Sequence, residues 1–289
     1  AWRVMRDDGT DVLVAIPRGA LGMQATTSGP GHSHGVMASL FASSPHRLFD
    51  ETFTATFLKR AMKAARLAHD MPDAPVYPAG SYPICIDYAL AKGLAHEAFG
   101  HASEEVGFRS SILSGKDNGG RFRVGQQVGP EHVSIIDEPV PDDHAWQPYS
   151  ANGVRRGRAT IVDHGQLRDG LSDPWSADDG GVRMTGSARA ESFRSPPQPR
   201  MTNIRIELDS PLPAPGAFED YGPEEVRALL TDAGVFRRHP RVTFLSGYSG
   251  GQVNTTTGDF VFNCKAIYEL GPDGRDAVRF FKPAIFSGS

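Results

Sequence analysis

The feature that most constrains this chain is a hexapeptide, His96-Glu97-Ala98-Phe99-Gly100-His101, which follows the apolar stretch from Ala89 to Ala95. Neutral imidazole is the commonest metal ligand in proteins, and a glutamate beside a ligating histidine can accept a proton from metal-bound water. The hexapeptide therefore predicts two metal ligands, His96 and His101, and a general base, Glu97, on one helix.

The spacing of the two histidines imposes a condition on that helix. Zinc proteases commonly use H-E-x-x-H, in which the histidines are one turn apart on one face. Here the histidines are five positions apart, and at about 100° per residue a regular helix would place them about 140° apart. Both rings can reach one ion only if the winding changes. A π-bulge would change it, and so would a break at Gly100, because glycine tolerates dihedral angles outside the helical region.

Small and acidic residues surround the hexapeptide. Ala95 and Ala102 would let the helix pack closely against a neighbour. Glu104 and Glu105 follow within one turn. Either carboxylate could orient a ligating imidazole by accepting a hydrogen bond from its second ring nitrogen.

Composition limits the class of protein. The chain has 289 residues, enough for one large or two ordinary domains. With 34 acidic against 30 basic residues, it lacks the basic character of a dedicated nucleic-acid surface. The one dense basic cluster is Val154–Arg158, which we interpret as a solvated turn before a strand.

The cysteines and the hydropathy pattern predict a reduced protein without a membrane span. Cys85 and Cys264 each lie in an apolar, strand-like run and are predicted to be reduced core thiols. No stretch approaches the ~18 apolar residues of a membrane span, and the N-terminus carries no secretory signal. We therefore expect a cytoplasmic protein with no membrane partner. Since the chain does not begin with Met, we also expect it to be processed or cut from something longer.

Periodicity predicts the elements of the first third. They are a strand hairpin over 1–24, a flexible small-residue loop over 25–36, a helix over 50–69, a linker over 71–80 and a strand over 82–87. The helix is the clearest of these, because Phe53, Phe57 and Ala61 recur at every fourth position.

The remainder is predicted to be mostly antiparallel β. Short alternating runs occupy 108–220, a helix covers 221–233, and a final β section follows. The predicted fold class is α+β. A small N-terminal α/β piece (1–75) precedes a mostly antiparallel β catalytic domain (76–289) that carries the HExxxH helix.

Several blocks of sequence, in order, match one family. The hexapeptide fits H-E-A-x-G-H, residues 188–194 and 199–203 fit N-A-R-x-E-S-Y and P-R-M-T-N, and residues 250–262 fit G-G-Q-V-x-x-x-x-G-x-F-x-F. Together they resemble the TldD/PmbA metallopeptidases, the modulator-of-gyrase family. The resemblance runs from about residue 50 to the end of the chain, and chance similarity rarely produces four ordered blocks.

The resemblance implies roles for particular residues. His96 and His101 correspond to ligands of one divalent zinc ion, and Glu97 corresponds to the general base. The strand Gly250, Gly251, Gln252 and Val253 corresponds to an edge on which an extended peptide is laid. Family members act in the cytoplasm and often pair, so we expect a homodimer or a heterodimer with a related subunit that lacks the motif.

Two further residues of the matching blocks are candidates for substrate binding. Arg189 either pairs with Glu191 or holds a substrate carboxylate. Asn203 either binds substrate or fixes a turn through a hydrogen bond. The residues alone leave both alternatives open.

One part of the family pattern has no counterpart. The family's third metal ligand is a cysteine in a Gly-rich segment well beyond the Gly-Gly-Gln-Val block, whereas this chain ends at Ser289. Cys85 and Cys264 occupy other positions. Three explanations stay open. The chain is a fragment or a short variant shortened at both ends, a carboxylate such as Glu104 or Glu105 substitutes, or a partner subunit supplies the ligand.

The predicted function is metal-dependent hydrolysis of peptide bonds in peptides or in small or unfolded polypeptides. Two alternatives remain. One is a specialised amide hydrolase that acts on a small amino-acid conjugate in secondary metabolism. The other is a non-catalytic peptide-binding subunit of a heteromeric peptidase. Metal content separates this last alternative from the two enzymes.

Overall fold

The computed structural model describes residues 1–29, 32–104, 110–212, 214, 220–274 and 277–288, without the side chains of His32 and Lys116. The α- and π-helical elements are α1 (Glu51–Asp70), α2 (Tyr88–Leu94), a π-helical segment (Ala95–Gly100), α3 (His101–Glu104), α4 (Ser176–Gly180) and α5 (Pro223–Asp232). Short 3₁₀-helices cover Pro45–Phe49, Met71–Asp73, Lys116–Asn118 and Val235–Arg237. The strands are β1 (Trp2–Met5), β2 (Asp11–Val14), β3 (Gly19–Gly29), β4 (His32–Ala42), β5 (Ile84–Ile86), β6 (Val133–Asp137), β7 (Ala159–Asp163), β8 (Gln166–Leu167), β9 (Ala188–Arg189), β10 (Gln198–Pro199), β11 (Ile204–Leu208), β12 (Val242–Val253), β13 (Phe260–Leu270), β14 (Val278–Phe281) and β15 (Ile285–Gly288).

The strands form two main sheets and three two-stranded ribbons. One sheet has the order β14-β13-β12-β5, with β15 also paired to β13, and the other has the order β11-β6-β7-β8. The ribbons are β1-β2, β3-β4 and β9-β10. All pairings are antiparallel except β5 with β12. The predicted α+β class is confirmed, while the division at residue 75 stays a prediction.

The predicted loop over 25–36 is wrong, because most of that segment lies in strands β3 and β4. These strands pair at eleven successive positions, from Gly19 opposite Ala42 to Gly29 opposite His32. One face of the hairpin packs against buried alanines of α1, including Ala64. Pairing and one-sided burial therefore outweigh the conformational entropy of a segment rich in small residues.

The helix that carries the hexapeptide lies between the two main sheets. Leu90 of α2 packs with Phe262 of β13 on one side. Ala95 and Ala102 are fully buried against Ile161 and its neighbours in the other sheet. Small side chains at these two positions let the helix approach the sheet closely, as the sequence predicts.

Strand β12 is paired on both sides over only part of its length. Strand β13 accompanies it throughout, whereas β5 pairs only with Thr243–Leu245. Among the described residues no strand pairs with the other edge of residues 246–253. A bulge lies between Tyr248 and Gly251, where Gly250 has φ +110°, a value that favours glycine.

The interpretation of Val154–Arg158 as a solvated turn is wrong for Arg156. The Arg156 guanidinium is buried, and its Nη2 lies 3.5 Å from Oδ2 of the buried Asp137. A charged side chain inside the protein requires such a partner, since isolated burial is costly. Arg155 and Arg158 are exposed, as predicted.

Among the described residues, none of the helices combines the length and apolar character that a bilayer span demands.

Candidate metal centre

A π-helical turn brings the two histidines together. Residues 95–100 form this turn, and the N–H of His101 donates to the carbonyl of His96, five residues earlier. The imidazole ring centroids lie 4.6 Å apart with their planes at 87°. The wider turn thus places both rings on one face of the helix. Of the two alternatives that the sequence leaves open, the π-bulge is the one that forms.

Gly100 serves close packing and does not break the helix. A Cβ at this position would lie 2.0 Å from Sδ of Met201 and 3.2 Å from Cδ1 of Ile204. Residue 100 also belongs to the π-helical segment. The glycine is therefore needed so that the segment can approach the chain around Met201.

Three potential ligands converge at this turn. The candidate ligand atoms of His96, Glu97 and His101 all lie within 4.8 Å of one another. Nε2 of His101 is 3.7 Å from Oε2 of Glu97, which is buried. No other cluster of three His, Cys, Asp or Glu residues with this geometry occurs in the described part of the chain.

Glu104 determines which nitrogen of His101 faces the cluster. Its Oε2 lies 2.8 Å from Nδ1 of His101. Because an ionised carboxylate can only accept hydrogen bonds, Nδ1 carries a proton and Nε2 is left free toward Glu97. The hydrogen bond to Glu104 raises the pKa of His101, against the opposing effect of burial.

Glu104 is itself held in place by the segment that follows β10. Its Oε2 also accepts from Nη1 of Arg200 at 2.8 Å, and its Oε1 accepts from the N–H of Met201 at 3.0 Å. Both oxygens are therefore occupied by protein donors. Glu104 fits the role of an orienting group for His101 better than that of the missing third ligand.

The surroundings of His96 favour its neutral form. Burial and the neighbouring His101 lower its pKa, and the nearby carboxylates Glu97 and Glu104 only partly offset them. A neutral imidazole is the form that ligates a metal ion.

A tyrosine in the β14-β13-β12-β5 sheet positions the carboxylate of Glu97. The hydroxyl of Tyr248 in β12 donates to Oε1 of Glu97 at 3.0 Å. Burial and the adjacent carboxylate raise the pKa of Tyr248 to about 12, so the hydroxyl keeps its proton at neutral pH. Glu97 therefore has one oxygen fixed by Tyr248 and the other near His101.

Three of the four predicted strand residues, Gly251, Gln252 and Val253, line a cleft beside this cluster. Its volume is about 670 Å³, and Glu97, His101 and residues 251–253 contribute to its walls. A Cβ on Gly251 would lie 3.1 Å from Cγ of Glu97 and 2.8 Å from Cδ1 of Phe262. Glycine is therefore required here, because the strand passes directly over the carboxylate.

The two remaining candidates have different surroundings. Oδ1 of Asn203 accepts the N–H of Val140 at 3.3 Å, so this hydrogen bond joins two segments that are distant in sequence. Arg189 is exposed, and its charge contributes to the lowered pKa of His96. No ion pair between Arg189 and Glu191 is found in the described part of the chain.

Reasoning from sequence missed Tyr248, Arg200 and the Asp137–Arg156 pair. Arg200 lies in the matching P-R-M-T-N block, so the block was found while the partner of the arginine was not. Nothing in the sequence near Tyr248 points to Glu97, since 151 positions separate them.

The donor set of this cluster fits zinc. Two imidazoles, one of them hydrogen-bonded through its second nitrogen to a carboxylate, are typical of zinc centres. Catalytic zinc usually has three protein ligands. Among the described residues the third is not evident: both cysteines are free and outside the cluster, and Glu105 lies outside the described residues.

The fold and this cluster define a metallopeptidase-type centre, and comparison with known proteins gives the family. A sequence model of the PmbA/TldA metallopeptidase C-terminal domain matches residues 79–272, and the chain belongs to this family.

Named relatives are metalloproteases. A metalloprotease of Methanocaldococcus jannaschii is 28% identical over 239 residues, 82% of this chain and 47% of the relative. One of Methanothermobacter thermautotrophicus is 30% identical over 210 residues, 72% of this chain and 39% of the relative. A zinc metalloprotease TldD homolog of Saccharolobus solfataricus is 29% identical over 132 residues, 45% of this chain and 28% of the relative. The chain thus spans less than half the length of these relatives.

Solved structures share the fold. TldE of Thermococcus kodakarensis aligns with a TM-score of 0.67 at 14% identity, over 99% of this chain and 57% of that one. A Thermotoga maritima protein, described as a candidate modulator of a DNA gyrase, aligns with a TM-score of 0.66 at 20% identity, over 97% of this chain and 56% of that one.

Proposed function

We propose that this chain carries the active centre of a zinc-dependent peptidase that hydrolyses peptide bonds in peptides or in small or unfolded polypeptides. The observation that carries the proposal is the convergence of His96, Glu97 and His101 at the π-turn. The names of the relatives support the same class of activity.

His96 and His101 are the proposed ligands of the zinc ion. When bound, zinc supplies a Lewis acid that lowers the pKa of water toward neutrality and polarises the scissile carbonyl. We expect the third protein ligand from outside the described residues, because both oxygens of Glu104 already accept protein hydrogen bonds.

Glu97 is the proposed general base. It takes a proton from the attacking water and delivers it to the nitrogen of the departing amine. Tyr248 holds Oε1 of Glu97 by donating its hydroxyl proton, and Oε2 remains on the side of His101. Proton transfer therefore occurs at Oε2, and the hydrogen bond to Oε1 keeps the carboxylate from rotating.

The free edge of residues 250–253 is the proposed site for an extended substrate. An added strand would exchange main-chain hydrogen bonds with this edge and would pass over Glu97, since Gly251 leaves room there. Methylating the amide nitrogens of a bound peptide one at a time removes such hydrogen bonds. Binding that is unaffected by every methyl group would contradict this assignment.

The variant Glu97→Gln tests the proposed function. We expect it to bind zinc as the wild type does and to lose roughly 10²–10⁴ in the rate of peptide hydrolysis, the usual contribution of a positioned base. The exposed Glu224, substituted by Gln, is the matched control and should retain full activity. Peptide cleavage at the wild-type rate by zinc-loaded Glu97→Gln would show that the base is misassigned.

We further propose that the chain works as a homodimer or beside a related subunit. The outer face of α1 supports this, since Leu58 and Met62, one turn apart, are both more than half exposed. The likeness to TldE shows that the fold is shared with another protein. Light scattering on the purified chain, alone and mixed with a related subunit, tests the proposal, and a monomer in both samples would contradict it.

A further inference from the structure

A second cavity lies on the other side of the metal cluster. Its volume is about 880 Å³, and β4, α1, α2 and β12 contribute to its walls. His96 and Tyr248 line this cavity, whereas Glu97 and His101 line the cleft described above. The cluster therefore stands between two spaces. A peptide that follows the free edge of β12 past the cluster continues toward the second cavity.

Positive charge dominates the walls of this second cavity, which we call the basic chamber. Five basic residues line it, against three acidic ones. The basic residues are Arg60, Lys63, Lys92, Arg205 and Lys265, and the acidic ones are Asp87, Glu138 and Asp143. Arg60 is already paired with Asp220, and Arg205 with Glu138 and Glu207, so the three lysines supply the positive charge that favours an anionic occupant.

The ammonium groups of the three lysines that line the chamber contact neutral groups. Nζ of Lys63 donates to the carbonyl of Tyr221 at 2.9 Å, and Nζ of Lys265 donates to the carbonyl of Met37 at 2.7 Å. Nζ of Lys92 lies 4.2 Å from the ring centroid of Tyr88. None of the three lysines forms an ion pair within the described part of the chain. Their charges are thus left uncompensated by direct contact.

Asp87 cannot form an ion pair with all three lysines. Its carboxylate accepts from the N–H of Leu90, the hydroxyl of Ser246 and the N–H of Gly247, so its oxygens are already engaged. Burial lowers the pKa of both Lys63 and Lys265. Asp87 offsets this only in part at both lysines, as do Asp220 and Glu225 at Lys63. A carboxylate of a bound molecule beside Lys63 or Lys265 would stabilise that ammonium group.

We propose that the basic chamber binds a carboxylate of the substrate, so that the peptidase prefers an acidic side chain, or the C-terminal carboxylate of the peptide, close to the scissile bond. The proposal rests on the proposed function for its substrate. It goes beyond that function because it assigns Lys63 and Lys265 to specificity. The open strand edge would accept any sequence, while the chamber would select for negative charge.

Binding to the zinc-loaded Glu97→Gln variant tests this without hydrolysis. The probes are fluorescent hexapeptides of Gln and Ala in which one Glu replaces Gln at each position in turn, each made with a free or an amidated C-terminus. Fluorescence anisotropy gives the Kd. We expect at least one acidic peptide or free-acid form to bind about 10-fold more tightly than its neutral match, as a charge-assisted hydrogen bond allows. A preference within the Glu-scanned series indicates a side-chain carboxylate. A preference for the free acid over the amidated form indicates the C-terminal carboxylate.

Lysine variants, made in the zinc-loaded Glu97→Gln protein, test whether the basic chamber causes the preference for acidic peptides. Lys63→Met with Lys265→Met should reduce the preference to below about 2-fold, whereas Lys59→Met, an exposed change on the same helix, should keep it. If the double variant does not fold by circular dichroism, Lys63→Gln and Lys265→Gln are measured singly, and each should weaken the preference.

Two results would overturn the proposal: equal affinity for every acidic and neutral pair, or a preference that survives loss of both lysines. Failure of the proposed function looks different, because charge-selective binding would persist while the zinc-loaded wild type cleaved none of the peptides.

Discussion

Two buried carboxylates, Glu104 and Asp137, have similar surroundings and different consequences. They are 3% and 1% exposed, and each accepts a main-chain N–H from one of two consecutive residues. Met201 donates to Glu104 at 3.0 Å, and Thr202 donates to Asp137 at 2.7 Å. Each carboxylate also lies beside an arginine. The short segment 201–202 thus donates main-chain hydrogen bonds to two buried carboxylates.

The two carboxylates differ in what their second oxygen contacts. Oε2 of Glu104 reaches Nδ1 of His101 and a partly exposed Arg200, so the carboxylate connects the segment to the metal cluster. Oδ2 of Asp137 lies near Arg156, whose side chain is 1% exposed. We therefore expect the Glu104 network to control metal affinity, and the Asp137 pair to control folding stability.

The largest expected effect comes from breaking the buried pair with Arg156→Met. Removing one partner leaves Asp137 buried without its counter-charge, which typically costs about 3–5 kcal/mol of the free energy of unfolding. Urea unfolding measures the loss, and Arg155→Met, at the exposed neighbouring position, is the control. A loss below about 1 kcal/mol would show that the pair contributes little.

The pH dependence of that variant sharpens the comparison. Burial raises the pKa of Asp137, and Arg156 opposes this rise. Without Arg156 the folded-state pKa should lie further above the unfolded value, so the folded state binds more protons and stability falls as pH increases. The deficit of Arg156→Met relative to wild type should therefore be larger at pH 8 than at pH 5. A deficit independent of pH would contradict this origin.

Glu104→Gln should act on the metal and much less on the fold. Gln can still accept from Met201, but it lacks the charge that orients and polarises His101. Loss of such a partner typically reduces metal affinity by about 10–100-fold. Competition with a zinc chelator measures it, with Glu224→Gln as the matched control. Unchanged affinity would mean that Glu104 is only a structural acceptor.

The smallest effect is expected from Arg200→Met. Its side chain is 43% exposed, and an ion pair in such a position contributes about 0–1 kcal/mol, so zinc affinity should fall by less than about 5-fold. The same chelator competition applies. A loss as large as that of Glu104→Gln would show that Arg200, and not the main-chain N–H of Met201, holds the carboxylate.

The metal cluster was largely predictable from sequence, because its groups lie within six consecutive residues. Two histidines five positions apart required either a wide turn or a break, and the wide turn formed. Ordered sequence blocks identified the strand of Gly251. These signals are local, so they do not depend on the arrangement of distant segments.

Features that depend on distant contacts were not predictable. Tyr248 contacts Glu97 across 151 positions, and Arg156 is buried beside Asp137, which lies in the separate strand β6. The small-residue segment 25–36 lies mostly in strands because α1 covers one face of the hairpin. In each case tertiary packing decides a conformation or environment that local composition leaves open.

The central claim is that His96 and His101 bind one zinc ion, and zinc-edge X-ray absorption of the zinc-loaded chain tests it most directly. We predict a spectrum with two imidazole ligands at about 2.0–2.1 Å, and loss of stoichiometric zinc from both His96→Ala and His101→Ala. A spectrum without imidazole scattering, or zinc content unchanged in either variant, would contradict the claim.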